Sequence, residues 1–243
     1  MAQGTGSEEK EMRDSVAAVV PCYNIGGRAM PILKQLLGLL NHVIVVDDGS
    51  TDGLKKTLEG LPLHLISFPE NRGKGHALLE GFREALRTEG ISGVVTVDGD
   101  GQHDPKEIQR LWTAMQNEDA DLVIGSRVFE EGEVPWRSRF GNVLTISLAR
   151  LLLGQYLPDT QSGFRVHSRR FVEDILMRVR GGRYETEMEI LARAVKGGFK
   201  TVSVPIQTIY EEGNRSSHFN VIRDSFLIYR KLLAMTLFRS NGR

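Results

Sequence analysis

One stretch constrains this chain more than any other: Val94-Val95-Thr96-Val97-Asp98-Gly99-Asp100-Gly101-Gln102-His103-Asp104-Pro105. Its apolar and β-branched opening favours a buried strand. Two carboxylates follow at i and i+2, Gly99 and Gly101 break the strand, and Pro105 suits the first position of a helix. Carboxylates at the carboxyl end of a strand stand where open α/β sheets place their ligands. Asp98 and Asp100 are hard oxygen donors, suited to Mg2+ or Mn2+ held between the protein and the phosphates of a nucleotide. Three other readings compete. DGDG can be a polar turn. A calcium loop starting at Thr96 would place Gly101 and Glu107 well, but Thr96 replaces its first carboxylate. Asp98 could also be a phosphatase-type nucleophile.

The surrounding pattern supports a layered α/β fold. Strands are expected at 15–20, 43–46, 63–68, 94–97 and 122–124, and helices at 30–40, 54–58, 77–88 and 105–117. Strand, loop and helix alternate at short intervals, the signature of a mostly parallel sheet covered on both faces. Further on, helices are expected at 139–153, 185–196 and 221–238, and a strand at 199–206. Residues 1–14 lack periodicity and read as a mobile tail. Residues 15–220 read as a single domain, and 221–243 as a C-terminal amphipathic helix.

Composition sets outer limits. A chain of 243 residues with 31 Lys plus Arg and 31 Asp plus Glu carries no net charge, and no nucleic-acid partner is expected. The lone Cys22 excludes an internal disulfide, and no leader pattern precedes the first strand, so a cytoplasmic setting is expected. No apolar run is long enough to span a bilayer. Contact with the inner face of a membrane would be peripheral, through Trp136–Leu153 or through 221–238, where Ile222, Phe226, Tyr229, Leu233 and Leu237 share a face beside Arg223, Arg230 and Lys231. Both helices can equally well cover the sheet.

Four polar clusters fall at strand ends: PCYN at 21–24, DDGS at 47–50, NRGKG at 71–75 and DGDGQ at 98–102. In a parallel sheet these ends line one cleft. In this order, with DTQSGFR at 159–165, YETE at 184–187 and NRSSHF at 214–219, they resemble family 2 glycosyltransferases. The resemblance is to the branch with dolichol-phosphate mannosyltransferases and bacterial polyprenyl-phosphate glycosyltransferases. It covers roughly residues 15–230, the span between the outer motifs.

The resemblance implies a GT-A fold, Rossmann-like, with a mixed, mostly parallel sheet flanked by helices. It also implies transfer of a hexose from a nucleoside diphosphate sugar, GDP-mannose or UDP-glucose, to a polyprenyl or dolichyl phosphate. Pro21, Tyr23 and Asn24 would shape the base and ribose loop, although Ile25 stands where the family usually carries Glu. Asp47 and Asp48 would accept hydrogen bonds from base and ribose. Arg72 and Lys74 would face the nucleotide, and Gly73 would let the backbone approach it. Asp98 and Gly99 would border the donor, and Asp98, Asp100 and Gln102 would hold the metal. His103 reads as loop packing. Arg127, Arg137, Arg139, Arg165 and Arg215, with Ser216, would bind donor and acceptor phosphates, because guanidinium groups make bidentate, permanently charged contacts.

A phosphate monoester is already an anion at neutral pH, so it can attack C1 of the sugar without a general base, inverting that centre. If the acceptor is a hydroxyl, Asp159 is the candidate base. If it is a phosphate, Asp159 is expected to orient the sugar or Arg165. A transferase acting on a sugar or protein hydroxyl, and a silent nucleotide-sugar-binding module, stay open as alternatives.

Overall fold

The computed structural model describes residues 5–127, 159–183 and 185–207. A seven-stranded sheet forms from β1 (Val16–Cys22), β2 (His42–Asp47), β3 (His64–Ser67), β4 (Gly93–Thr96), β5 (Leu122–Arg127), β6 (Arg165–Ser168) and β7 (Thr201–Ile206). The strand order is β3-β2-β1-β4-β6-β5-β7. β6 pairs antiparallel with β4 and with β5, and every other pairing is parallel.

Successive residues of the central strands point to opposite faces, and both faces are buried. Ala18, Val20, Val45 and Val95 face one core with Leu33 and Leu36 of α2 (Met30–Leu39) and Ile108 and Leu111 of α5 (Glu107–Asn117). Ala17, Val19, Ile44 and Val94 face the other, with Leu78 and Phe82 of α4 (Lys74–Arg87), Phe171 and Ile175 of α6 (Arg169–Arg178) and Leu191 of α7 (Glu185–Lys196). Continuous apolar strands in a sheet covered on both sides are what a parallel sheet requires. A short helix, α3 (Leu54–Thr57), follows β2. The helix α4 lies so close to β1 that a Cβ on Gly81 would stand 2.3 Å from Val19 Cγ1.

Two expectations are corrected, and one helix had not been anticipated. Residues 5–14 are not a tail: α1 (Thr5–Ser15) is a helix, with Met12 buried and Arg13 and Asp14 hydrogen-bonded to Asn41. α4 begins at Lys74 rather than residue 77, because the Gly-Lys-Gly opening carries no apolar periodicity to reveal it. α6 was not expected, although Ser168 caps it by accepting from Phe171 N at 3.3 Å. The helices expected at 139–153 and 221–238 lie outside the described residues. Among the described residues, no helix is long and apolar enough to cross a membrane.

His167 links the core to pH. It is buried between Phe82 and Phe171, with Nδ1 3.2 Å from the Val94 carbonyl oxygen. Burial, helped by the nearby Arg165 charge and opposed by the Val94 carbonyl, pushes its pKa down to about 3 from an ordinary 6.5. Below pH 6.5 the unfolded chain takes up this proton and the folded chain does not. Stability therefore falls with pH by up to about 1.4 kcal/mol per unit until the folded imidazole titrates. Guanidinium unfolding should show a loss of about 2 kcal/mol from this residue between pH 7 and pH 5, and His167→Phe should flatten that part of the slope.

Candidate active site

The direction of β6 decides what meets at the cleft. The carboxyl ends of β1, β2, β4 and β5 share one edge of the sheet, and the antiparallel β6 brings its amino end to that edge. The segments 21–24, 47–50 and 98–102, Arg127 and the loop 159–165 are thereby assembled side by side. Thr96 Oγ1 donates to Gly163 O at 2.7 Å and fixes the last of these to β4.

The first two loops are tied to each other. Asn24, at φ +50°, donates its N–H to Ser50 Oγ at 2.9 Å and accepts from Thr51 N at 2.8 Å. Pro21 is the next-to-last residue of β1, and Tyr23 follows the strand half-buried. Ile25 packs over the DGDG turn, where a Cβ on Gly99 would lie 2.6 Å from Ile25 Cδ1.

The two acids after β2 serve the loops. Asp47 accepts from Ser50 N at 2.9 Å. Asp48 is 3 % exposed and accepts from Arg72 N at 2.7 Å, Gly73 N at 2.8 Å and Asn71 Nδ2 at 2.9 Å. Asp48 was expected to receive base or ribose directly. Its buried carboxylate also holds the NRGKG backbone in place. Arg72 lies over the Phe68 ring with 4.9 Å to the centroid.

Lys74 opens α4 and reaches into the centre of the cleft. Its Nζ is 2.7 Å from Asp98 Oδ1 and 3.0 Å from Glu187 Oε2. Burial opposes its charge, but the carboxylates of Asp98 and Glu187 outweigh burial and hold the ammonium above its ordinary range. Burial likewise opposes ionisation of Asp98, and Lys74 and His103 reverse the balance, keeping that carboxyl well below the usual carboxylate range. Asp100 behaves oppositely: burial and the Asp98 charge push it up. A cation between the two acids would relieve this repulsion.

Asp98, Asp100 and Gln102 fit such a cation by their chemistry, since two carboxylates and an amide oxygen are hard donors at alternate positions of one loop. Gln102 N also donates to Asp100 Oδ1 at 3.1 Å, which shapes that loop. Among the described residues no group of three or more His, Cys, Asp or Glu is arranged to hold a metal. Ions that use one or two carboxylates and complete their shell with substrate phosphates need no such group. Gly163 has room for nothing larger: a Cβ there would stand 2.5 Å from Asp98 Oδ2. His103 stacks on Phe164 at 5.0 Å, as packing was expected to require, and its Nε2 also faces Asp98 Oδ2 at 3.6 Å.

Asp159 is fully buried and receives five hydrogen bonds among the described residues. Arg127 supplies Nε at 2.7 Å, Nη2 at 3.1 Å and its backbone N at 3.3 Å; Gln161 N and Ser162 N supply the others at 3.0 and 3.1 Å. A carboxylate so saturated has no lone pair directed at an incoming hydroxyl. Asp159 holds Arg127, where the sugar or Arg165 had been expected. Arg165 is 2 % exposed and donates to the carbonyls of Ser162, Glu187 and Thr160 at 2.8, 2.9 and 2.9 Å. A guanidinium committed to backbone carbonyls builds the cleft wall. Arg137, Arg139, Arg215 and Ser216 lie outside the described residues.

Sequence reasoning gave Glu187 no role. Two acids in the first turn of a helix read as ordinary partners of the helix dipole, and no local pattern announces a lysine more than a hundred positions away.

The family model for glycosyl transferase family 2 matches residues 17–176. Polyprenol monophosphomannose synthase of Mycolicibacterium smegmatis is 34% identical over 223 residues, covering 84% of this chain and 82% of that protein. UDP-N-acetylglucosamine–dolichyl-phosphate N-acetylglucosaminyltransferase of Methanococcus voltae is 30% identical over 239 residues, 88% of this chain and 94% of that protein. Among solved structures, glucosyl-3-phosphoglycerate synthase from Mycobacterium tuberculosis, in complex with Mn2+, uridine diphosphate and glucosyl-3-phosphoglycerate, matches with a TM-score of 0.72 at 18% identity. That match covers 100% of this chain and 87% of the other, and the shared architecture is the GT-A fold.

Proposed function

Because the chain belongs to glycosyl transferase family 2 and is a glycosyltransferase, we propose that it moves a hexose from a nucleoside diphosphate sugar to a polyprenyl or dolichyl phosphate, with inversion at C1. The relatives whose names specify polyprenol or dolichyl phosphate cover most of this chain and support that acceptor class. The observation that carries the reading is the saturation of Asp159. The acid at the position of a candidate base is turned inward on Arg127 and on backbone N–H groups. An acceptor that arrives as an anion does not need it as a base.

In this reading Asn24 and Asp47 shape the pocket for base and ribose, with Asp48 anchoring the loop that carries Arg72 and Lys74. Asp98, Asp100 and Gln102 would hold Mg2+ or Mn2+. When bound, that ion would neutralise the pyrophosphate and make it a better leaving group. Arg127, aimed by Asp159, offers a fixed positive charge at the same sheet edge for a phosphate oxygen. The residues bring two anionic substrates together and screen their repulsion, so that most of the rate comes from placement and charge.

The test is transfer of labelled hexose from GDP-mannose, UDP-glucose and UDP-N-acetylglucosamine into a lipid fraction containing polyprenyl phosphate, with Mn2+ or with chelator. One donor is expected to give a lipid-soluble product, lost on chelation. No transfer from any nucleoside diphosphate sugar would overturn the reading.

A further inference from the structure

Lys74 occupies the position from which a cation at Asp98 would be opposed. Its ammonium is 2.7 Å from Asp98 Oδ1, so a divalent ion binding there meets a positive charge already in place. A second carboxylate, Glu187, lies 3.0 Å from the same nitrogen. The cleft wall holds Glu187 firmly. Arg165 Nη1 donates to the Glu187 carbonyl at 2.9 Å, and Gly75 N donates to Gly182 O at 2.9 Å, which ties the start of α4 to the segment leading into α7. The two segments pack closely at Gly75, where a Cβ would fall 2.0 Å from the Thr186 side-chain oxygen and 2.8 Å from Gly182 N. No side chain other than glycine fits there, and the Lys74–Glu187 spacing is thereby fixed by the fold.

We propose that Glu187 is a positioning residue that retains the Lys74 ammonium when the metal takes Asp98, so that metal and lysine exchange places on one carboxylate without expelling a buried charge. This rests on the transferase reading above, in which Asp98 and Asp100 hold the ion. Without Glu187, Lys74 has one fewer carboxylate to share and binds Asp98 more tightly, and metal binding weakens. Without Lys74, the competition disappears, and metal binding strengthens. Both effects are readable with the metal alone, independently of turnover.

Mn2+ binding is measured by electron paramagnetic resonance on the full chain, without donor, for the unaltered protein, Glu187→Gln, Lys74→Met and the double variant. Lys74→Met should tighten Mn2+ about ten-fold, the size by which one adjacent unit charge commonly shifts an ionic equilibrium. Glu187→Gln should weaken it about three- to ten-fold in the unaltered background and leave it unchanged in the Lys74→Met background. Equal weakening in both backgrounds would mean that Glu187 acts only through its own field, and would overturn the proposal. So would unchanged or weaker Mn2+ binding in Lys74→Met, which decides the matter alone if Glu187→Gln does not fold. If Asp100→Ala does not affect Mn2+ binding by the unaltered protein, the metal lies elsewhere and the transferase site assignment fails instead.

Discussion

Replacing Asp98 or Asp100 with alanine should lower turnover about a thousandfold, because in the proposed function either change removes charge stabilisation aimed at the departing pyrophosphate. The two variants should differ in the folded protein without substrate. Asp98 is clamped by Lys74 at 2.7 Å and abuts Gly163, so Asp98→Ala removes one of the carboxylates that hold the Lys74 ammonium and opens space beside the 159–165 loop. Asp100→Ala removes an acid whose ionisation is opposed by burial and by Asp98. Thermal unfolding without metal should therefore show Asp98→Ala destabilised and Asp100→Ala unchanged or slightly stabilised. Steady-state kinetics across a Mn2+ titration gives the other half: neither variant should recover at saturating metal. Full recovery of either would place the ion on other ligands.

Arg127→Ala is the second large effect. It removes a bidentate partner from a fully buried carboxylate, a change that costs about 3–5 kcal/mol when nothing else satisfies the charge. The N–H groups of residues 127, 161 and 162 still donate to Asp159. The expected cost is thus near the low end, about 3 kcal/mol, or roughly 6–12 °C in melting temperature for a chain of this size. Asp159→Asn should cost less stability, since the amide oxygen can keep part of the N–H set, but it misdirects the guanidinium. Turnover should fall in both variants, and the fall in Asp159→Asn should keep the shape of the pH–rate profile. A base would leave its mark as a lost acidic limb.

Much of the sheet was legible because each strand is an apolar run closed by a polar turn. The segments 43–46, 94–97 and 122–124 needed only burial and a breaker to be found. The cleft was legible for the same reason, since four polar clusters at four strand ends can hardly avoid one another in a parallel sheet. Long-range pairing was not legible. Nothing in Arg165-Val166-His167-Ser168 shows that this short strand runs antiparallel, and that direction is what brings the 159–165 loop to the sheet edge, Gly163 to Asp98 and Asp159 to Arg127. Arg165 illustrates the limit on single residues. Guanidinium chemistry suits a phosphate and three carbonyls alike, and only burial distinguishes them. The acids after β2 show a related ambiguity, because a carboxylate that accepts from a ribose and one that accepts from a turn use the same lone pairs. The N-terminal helix was missed because a single buried side chain, Met12, anchors its apolar face, too little to register as a period.

The most direct measurement compares two acceptors that differ only in the terminal phosphate, polyprenyl phosphate and free polyprenol, with the same donor and Mn2+. A glycosyl phosphate with inverted anomeric configuration is expected from the first and no product from the second. A glycoside formed on the free alcohol at a comparable rate would contradict an enzyme that relies on its acceptor arriving already ionised.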